Sequence, residues 1–242
     1  MKIGAVSDVH ANLEAFNAVL DFFHQEGVDQ IVCLGDIVGY GPDPVACIEL
    51  LQKTKAKTVA GNHDWGVADK TPINRFYHLA ALALQWTKKS LSKEHILFLK
   101  ELPLAMDLGP LYLVHACPSA PETWNYIFTI AEALREIRAC PFNICLVGHT
   151  HRPLIVEKTA HGARREILDP AFSFQPDVQY LINIGSVGQP RDGDPRAGCA
   201  LIDLKKTLCS FHRIPYDFTT TQKKMLAAGL PLPLIERLEF GI

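Results

Sequence analysis

The first third of the chain repeats one pattern, in which a short apolar run is followed by a polar turn and an amphipathic helix. The apolar runs at residues 2–6, 31–34 and 58–60 have the length of buried strands. Between them, one helix is predicted after Asn12, whose side chain can cap it, and another from Pro44. Because strands that alternate with helices form parallel β-α-β units, the sequence predicts an α/β fold.

The second half of the chain is richer in strands. Six are predicted there, at residues 111–114, 144–147, 154–158, 180–184, 198–203 and 207–214, with a helix at 130–139. The last four strands are joined by turns. They therefore predict an antiparallel second sheet packed against the first.

Two helical segments lie outside this pattern. Helix-spaced apolar residues at about 73–102 predict an insert that covers the sheet or an oligomer contact. From about residue 217 we expect a C-terminal tail with a helix at 219–228, and Pro231 and Pro233 are expected to interrupt the chain that follows it. Since no clear linker divides the chain, residues 1–242 are predicted to form a single domain.

Composition argues against several classes of protein. The net charge is −2 with no long basic run, which argues against general nucleic-acid binding. No stretch offers the roughly 20 apolar residues of a membrane-spanning helix, and the start of the chain lacks a signal-peptide pattern. We therefore expect no membrane partner and a cytoplasmic location. The seven cysteines contain no C-x-x-C pair and are expected to be buried free thiols.

Five predicted strands each end in side chains that can bind metal ions. These residues are Asp8 and His10, then Asp36, then Asn62 with His63 and Asp64, then His115, and finally His149 with His151. Sites in open α/β sheets form at the carboxyl ends of strands, so residues distant in sequence can converge there. Residues two apart in an extended segment point the same way, so Asp8 and His10 can address one centre.

The types of these side chains indicate which metals they would accept. Imidazole favours Zn, Fe, Ni or Cu, whereas carboxylate and amide oxygens also accept Mn and Mg. No cysteine belongs to the set, which argues against a structural zinc site.

In this order, the motifs D-x-H, G-D, G-N-H-D, H and G-H-T-H resemble those of the calcineurin-like metallophosphoesterase superfamily. The segments 35–42 and 184–191 look like those of a smaller bacterial and archaeal, phosphodiesterase-like branch. The resemblance implies a four-layer α/β/β/α sandwich, with two mixed sheets facing each other and helices outside.

The resemblance also implies a role for each motif residue. One metal ion would be held by Asp8, His10, Asp36 and His151, and a second by Asp36, Asn62, His115 and His149. The bridging Asp36 and the general acid His63 would be the catalytic residues. Substrate would be bound by Asn62, His63 and Arg191.

The implied reaction is hydrolysis of a phosphodiester or a small phosphorylated metabolite by in-line attack of a metal-bound hydroxide. Manganese is the expected metal, with iron, zinc or nickel as alternatives. The sequence leaves open whether the substrate is a nucleotide and whether the chain forms a homo-oligomer. It also leaves open whether Asp64 orients His63 or fixes the loop, and whether Arg191 reaches phosphate or lies on the surface.

Two departures from the wider superfamily bear on function. The protein-phosphatase motif G-D-x-V-D-R-G lacks its second acid and its arginine here, where Gly39, Tyr40 and Gly41 follow Val38. That puts a protein-phosphatase role in doubt, while hydrolysis of dinucleoside polyphosphates remains an alternative. A catalytically silent interaction scaffold of the same fold is a further alternative, although the complete set of motif residues disfavours it. The second departure is Ala116, which follows His115 at a position where many relatives have glycine.

Several residues outside the motifs have open or structural interpretations. Trp124 and Tyr126 either line the substrate cleft or serve in packing. Five histidines belong to no motif and are expected to be structural or exposed, namely His24, His78, His95, His161 and His212.

Overall fold

A computed structural model of the protein describes residues 1–140, 142–159, 164–166 and 169–242, so His161 lies outside the described residues. Within these ranges the chain forms two six-stranded sheets. Their strands are β1 (Lys2–Val6), β2 (Gln30–Cys33), β3 (Lys57–Thr58), β4 (Ala105–Asp107), β5 (Leu111–Val114), β6 (Ile144–Val147), β7 (Leu154–Thr159), β8 (Arg164–Glu166), β9 (Ala171–Ser173), β10 (Val178–Asn183), β11 (Ala197–Asp203) and β12 (Leu208–Ile214).

Helices cover the outer faces of the sheets. They are α1 (Leu13–Gln25), α2 (Pro44–Thr54), α3 (Asn62–Val67), α4 (His78–Ser90), α5 (Lys93–Glu101), α6 (Ile130–Ala139), α7 (Phe218–Ala227) and α8 (Leu232–Phe240), with short 3₁₀ turns at Ile73–Arg75 and Pro121–Thr123. No helix in the described part of the chain is both long and apolar enough to cross a membrane.

The first sheet has the strand order β3-β2-β1-β11-β12-β9. Strands β1, β2 and β3 pair in parallel, as the β-α-β pattern predicts, and their carboxyl ends lie at one edge. On the other side of β1 the pairing is antiparallel, with Ile3 opposite Ile202 of β11.

The second sheet has the order β4-β5-β6-β10-β7-β8. Strands β5, β6 and β10 run parallel, whereas β4, β7 and β8 pair antiparallel with their neighbours. The expectation that the last four strands form an antiparallel second sheet was wrong. Strands β11 and β12 join the first sheet, where six of the seven residues of β11 are buried, as its central position between β1 and β12 requires.

The two sheets face each other across an apolar core. Ile3 and Val32 from the first sheet pack there with Leu113 and Ile182 from the second. Helices α1 and α2 cover the outer face of the first sheet, and α6 packs on β7 and β10 at the outer face of the second. The four-layer α/β/β/α sandwich of two mixed sheets is therefore confirmed.

The C-terminal tail differs from the prediction. A second helix, α8, follows α7, although Pro231 and Pro233 were expected to interrupt the chain there. Both prolines lie at the start of α8, where the backbone N–H groups have no partner within the helix, so proline is tolerated. Helix α8 packs through Leu234 and Leu238 in a cluster with Ala83 of α4.

The cysteines and the remaining histidines agree with their predictions. All seven cysteines are buried free thiols. His24 and His78 are exposed, His95 belongs to the N-terminal capping box of α5, and the ring of His212 packs against Phe22.

Candidate metal centre

The motif residues lie at the carboxyl ends of strands in both sheets, and their backbone is unusual. Five of them have positive φ angles, a conformation that costs energy for residues other than glycine. The values are 53° for Asp8, 47° for His10, 52° for Asp36, 68° for His149 and 60° for His151. The backbone turns sharply after each of these strands, and the side chains are thereby directed into one buried space.

The first group of converging side chains consists of Asp8, His10 and His151. The Nε2 atoms of His10 and His151 are 3.1 Å apart. Asp8 Oδ1 lies 3.2 Å from Nε2 of His151 and 3.7 Å from Nε2 of His10. All three residues are buried.

The second group consists of Asp36, His115 and His149. Nε2 of His115 lies 3.2 Å from Nδ1 of His149 and 3.4 Å from Oδ2 of Asp36. The same Asp36 oxygen is 3.6 Å from Nε2 of His10, which belongs to the first group. Asp36 therefore lies between the two groups.

The four histidines of the two groups share one feature. In each ring, one nitrogen points inward to the other candidate ligands, and the outward nitrogen, on the opposite side, faces a backbone carbonyl. The pairs are His10 Nδ1 with Val38 O at 3.1 Å, His115 Nδ1 with Leu34 O at 2.7 Å, His149 Nε2 with Trp124 O at 2.9 Å and His151 Nδ1 with Gln189 O at 2.6 Å. A carbonyl only accepts hydrogen bonds, so the outward nitrogen carries the proton and, in the neutral ring, the inward nitrogen has a lone pair.

The inward-facing atoms fit a metal ion. In the described part of the chain, the buried oxygens Asp8 Oδ1 and Asn62 Oδ1 have no hydrogen-bond partner. Buried acceptors without donors are costly, and Asp8 Oδ1 lies 3.2 Å from Nε2 of His151, which also offers a lone pair. The mixture of carboxylate, amide and imidazole donors suits Mn, Fe, Zn or Ni.

The pKa values of the histidines in the two groups also bear on the binding of a metal ion. Burial lowers the pKa of His149 to about 3 and that of His151 to about 4, so both rings are neutral near pH 7. Burial opposes charge on His115 as well, but Asp36 and Asp8 raise its pKa to about 9. A cation that binds at Nε2 of His115 must therefore displace a proton.

Asn62 and His63 begin α3, which follows β3 after residues 59–61, and His63 contacts Asp36. The backbone N–H of His63 donates to Asp36 Oδ1 over 2.8 Å. The ring of His63 packs 4.8 Å from that of His10 and 4.5 Å from that of Tyr40, measured between centroids. His63 also forms a third converging group with His10 and Asp36, whose ligand atoms lie within 4.8 Å of one another.

Asp64 fixes the loop at the end of β2. Its carboxylate accepts hydrogen bonds from the backbone N–H groups of Ile37 at 3.0 Å, Val38 at 3.3 Å and Gly61 at 2.9 Å. These bonds hold the turn that carries Asp36 against the start of α3. A Cβ at Gly61 would collide with Oδ1 of Asp36, so this close approach requires glycine.

Arg191 lies at the rim of the site. Its backbone N–H donates to the carbonyl of His151 over 3.2 Å, and its guanidinium lies 5.5 Å from the centroid of the Tyr40 ring. The structure therefore brings Arg191 beside the candidate metal centre. Tyr126 also borders the site, because its ring stacks on His149 with 4.0 Å between centroids.

Sequence reasoning missed the residues that act through their backbone. Trp124 and Gln189 orient His149 and His151 through their carbonyl groups. A backbone carbonyl leaves no mark on residue type. The one available signal for Gln189 was its position within the segment 184–191.

Comparison with known proteins gives matches over most or all of the chain. The family model described as the calcineurin-like phosphoesterase superfamily domain matches residues 1–207. The crystal structure of a metallophosphoesterase from Sphaerobacter thermophilus has a TM-score of 0.87 and 39% identity, and the match covers 100% of this chain and 99% of that one.

Two relatives are informative by sequence. An uncharacterized protein from Methanocaldococcus jannaschii is 37% identical over 246 residues, or 99% of this chain and 98% of the relative. Phosphodiesterase YfcE from Escherichia coli is 27% identical over 203 residues, or 81% of this chain and 84% of the relative.

The three hydrogen bonds of Asp64 generate a prediction about stability. The substitution Asp64→Asn turns one acceptor oxygen into a donor that faces buried N–H groups. We expect it to lower the free energy of unfolding by about 1–3 kcal/mol, the cost of an unsatisfied buried polar group. Urea unfolding of the chelated protein would measure the loss. Asp69→Asn, at an exposed ion pair with Lys88, is the control and should change stability by less than about 1 kcal/mol. Equal effects would contradict the role of Asp64.

Proposed function

We propose that this chain, which belongs to the calcineurin-like phosphoesterase superfamily, is a dinuclear metal-dependent phosphodiesterase. The observation that carries the proposal is the pair of adjoining groups, Asp8 with His10 and His151, and Asp36 with His115 and His149. Their inward lone pairs and the shared position of Asp36 support two ions close together. The complete set of motif residues supports an enzyme over a silent scaffold.

The residues that would hold the ions follow from this arrangement. Asp8, His10, Asp36 and His151 would hold one ion, and Asp36, Asn62, His115 and His149 the other. Two such ions, when bound, would activate a water molecule and neutralise charge on the phosphoryl group. Carbonyl contacts at the outward nitrogens keep the four imidazoles oriented, and burial of the rings excludes competing water.

His63 is the residue that we propose as the general acid. Its Nδ1 is buried beside Gly39, so Nε2 is the nitrogen that would deliver a proton to the leaving oxygen. Burial lowers the pKa of His63 well below its usual range and the charge of Asp36 opposes that effect, so the proposed role requires that the ring be protonated when substrate is bound. The hydrogen bond from its backbone N–H to Asp36 fixes the start of α3, which carries this ring, relative to the proposed metal ligands. Asn62 and Arg191 would bind phosphate oxygens, the latter through a guanidinium that suits phosphate geometry.

The preference for a diester rests on the relatives. The Escherichia coli relative is named a phosphodiesterase, and the resemblance of segments 35–42 and 184–191 points to the same branch. Manganese is the proposed ion, because it accepts the mixed oxygen and nitrogen donors of the site.

The proposal is tested with the chelated protein refilled with Mn²⁺. We expect metal-dependent hydrolysis of bis(p-nitrophenyl) phosphate, followed as p-nitrophenolate release, with slower turnover of p-nitrophenyl phosphate. The chelated protein without added metal is the control and should be inactive. Turnover of the monoester alone would replace the phosphodiesterase with a phosphomonoesterase. No turnover of either ester by metal-loaded protein would contradict the proposal.

The proposed role of His63 predicts that metal binding and turnover separate. We expect His63→Ala to retain its metal content and to lower kcat by about 10²–10⁴, the usual contribution of a general acid. Elemental analysis and diester hydrolysis measure the two quantities on one preparation. His24→Ala, at an exposed position in α1, is the matched control and should retain both. Parallel loss of metal and activity in His63→Ala would make His63 a ligand instead.

For Asp36, in contrast to His63, we expect metal binding and turnover to be lost together. Because one carboxylate adjoins both groups, Asp36→Ala should remove metal from both positions, and its activity should fall with the metal content. Elemental analysis after dialysis gives the metal-to-protein ratio. Asp21→Ala, an exposed residue of α1, should keep the ratio of the unmodified protein. Full loading of Asp36→Ala with two ions would refute the bridging assignment.

A further inference from the structure

Two arginines lie side by side at the rim of the candidate metal centre. Arg191 Nη2 and Arg237 Nη1 donate to the same atom, Oε1 of Gln189, over 2.7 Å and 3.2 Å. Gln189 is only 1% exposed, so this shared acceptor is fixed within the protein. The two guanidinium groups are therefore neighbours in space although their residues belong to different parts of the chain.

Gln189 also connects this pair to the metal centre. Its carbonyl faces Nδ1 of His151 at 2.6 Å, while its side chain holds both arginines. Arg191 lies over the Tyr40 ring, whose centroid is 4.6 Å from that of His10. Arg191 thus lies beside the candidate metal centre, and Arg237 lies beside Arg191.

Among the residues that the structure describes, no acidic side chain balances the positive charge of the pair. In the described ranges, neither Arg191 nor Arg237 forms an ion pair, and the Nε atom of each is buried without a hydrogen-bond partner. Nε2 of Gln189 is likewise buried without a partner. Nearby Arg213 and Arg196, in contrast, pair with Asp192 and Asp194.

Adjacent like charges without a counterion are unfavourable. Burial and the neighbouring Arg191 lower the pKa of Arg237, in the direction expected when a cation lacks an anionic partner. A bound anion would relieve the repulsion and accept hydrogen bonds from the Nη groups of the two arginines.

Arg237 comes from α8, beyond the last residue that the family model matches, residue 207. The helix is held in place by Leu234 and Leu238, which are buried with Met225 of α7 and Ala83 of α4. The tail therefore presents Arg237 from a fixed helix, and it does so outside the segment that carries the motifs.

We propose that Arg237 and Arg191 form a subsite for a second phosphate group of the substrate, joined directly to the scissile one. The substrate class is then a phosphate ester that contains a diphosphate. Two neighbouring guanidinium groups can contact two linked phosphates, and each guanidinium can do so with two parallel hydrogen bonds. This inference rests on the proposed phosphoesterase function.

The test compares ligands that differ by one phosphate. Isothermal titration calorimetry on Mn²⁺-loaded full-length protein would measure the binding of AMP and of α,β-methylene ADP, whose bridging carbon resists hydrolysis. We expect the diphosphate to bind more tightly than AMP. Arg237→Gln should weaken diphosphate binding about tenfold to a hundredfold, the range for loss of a charge-assisted hydrogen bond, with less than about threefold effect on AMP. Arg237→Lys keeps the positive charge but not the two parallel donors of the guanidinium. Its affinity for the diphosphate should therefore lie between those of the unmodified protein and Arg237→Gln.

Arg138→Gln, an exposed position on α6 that removes the same charge, is the control and should bind both ligands as the unmodified protein does. Equal affinity of the unmodified protein for the two ligands would overturn the inference. So would an equal loss for both ligands in Arg237→Gln, because Arg237 would then act on the first phosphate or on the fold. Diester turnover by the same unmodified preparation tests the proposed function separately, since calorimetry needs no turnover.

Discussion

The Asp36 carboxylate is the contact on which the arrangement of the site depends. One oxygen accepts the backbone N–H of His63 and fixes the start of α3, while the other faces His10 and His115. His115 follows β5 of the second sheet, and His10 follows β1 of the first. A single side chain at the end of β2 thereby links both sheets and both groups of candidate ligands.

That arrangement is maintained by backbone geometry that is unfavourable in isolation. Left-handed conformations at Asp8, Asp36 and His151 each cost energy, and hydrogen bonds from the surrounding loops oppose that cost. Asp64 holds the turn at Asp36, and the carbonyl of Gln189 holds His151. Much of the site is therefore held in position by the protein itself, through contacts outside the two groups.

The sequence predicted the central features of the fold because they rest on local patterns. Apolar runs identified β1, β2, β5 and β6, and the polar residues that end them identified the candidate ligands. Pairing between distant strands is a tertiary property, and for this reason β11 and β12 were assigned to the wrong sheet. Helix α8 was missed because proline ends a helix at most positions but is tolerated at its start.

The tail has a consequence for how a protein of this kind can diverge. The candidate metal ligands lie between Asp8 and His151, whereas Arg237 lies on a helix that packs chiefly against α7 and α4. Substitutions in this helix would therefore alter the proposed phosphate subsite while the candidate metal ligands stay unchanged. Part of the proposed selectivity would then be encoded apart from the chemistry, so exchange of the segment that carries α7 and α8 would change the first without the second.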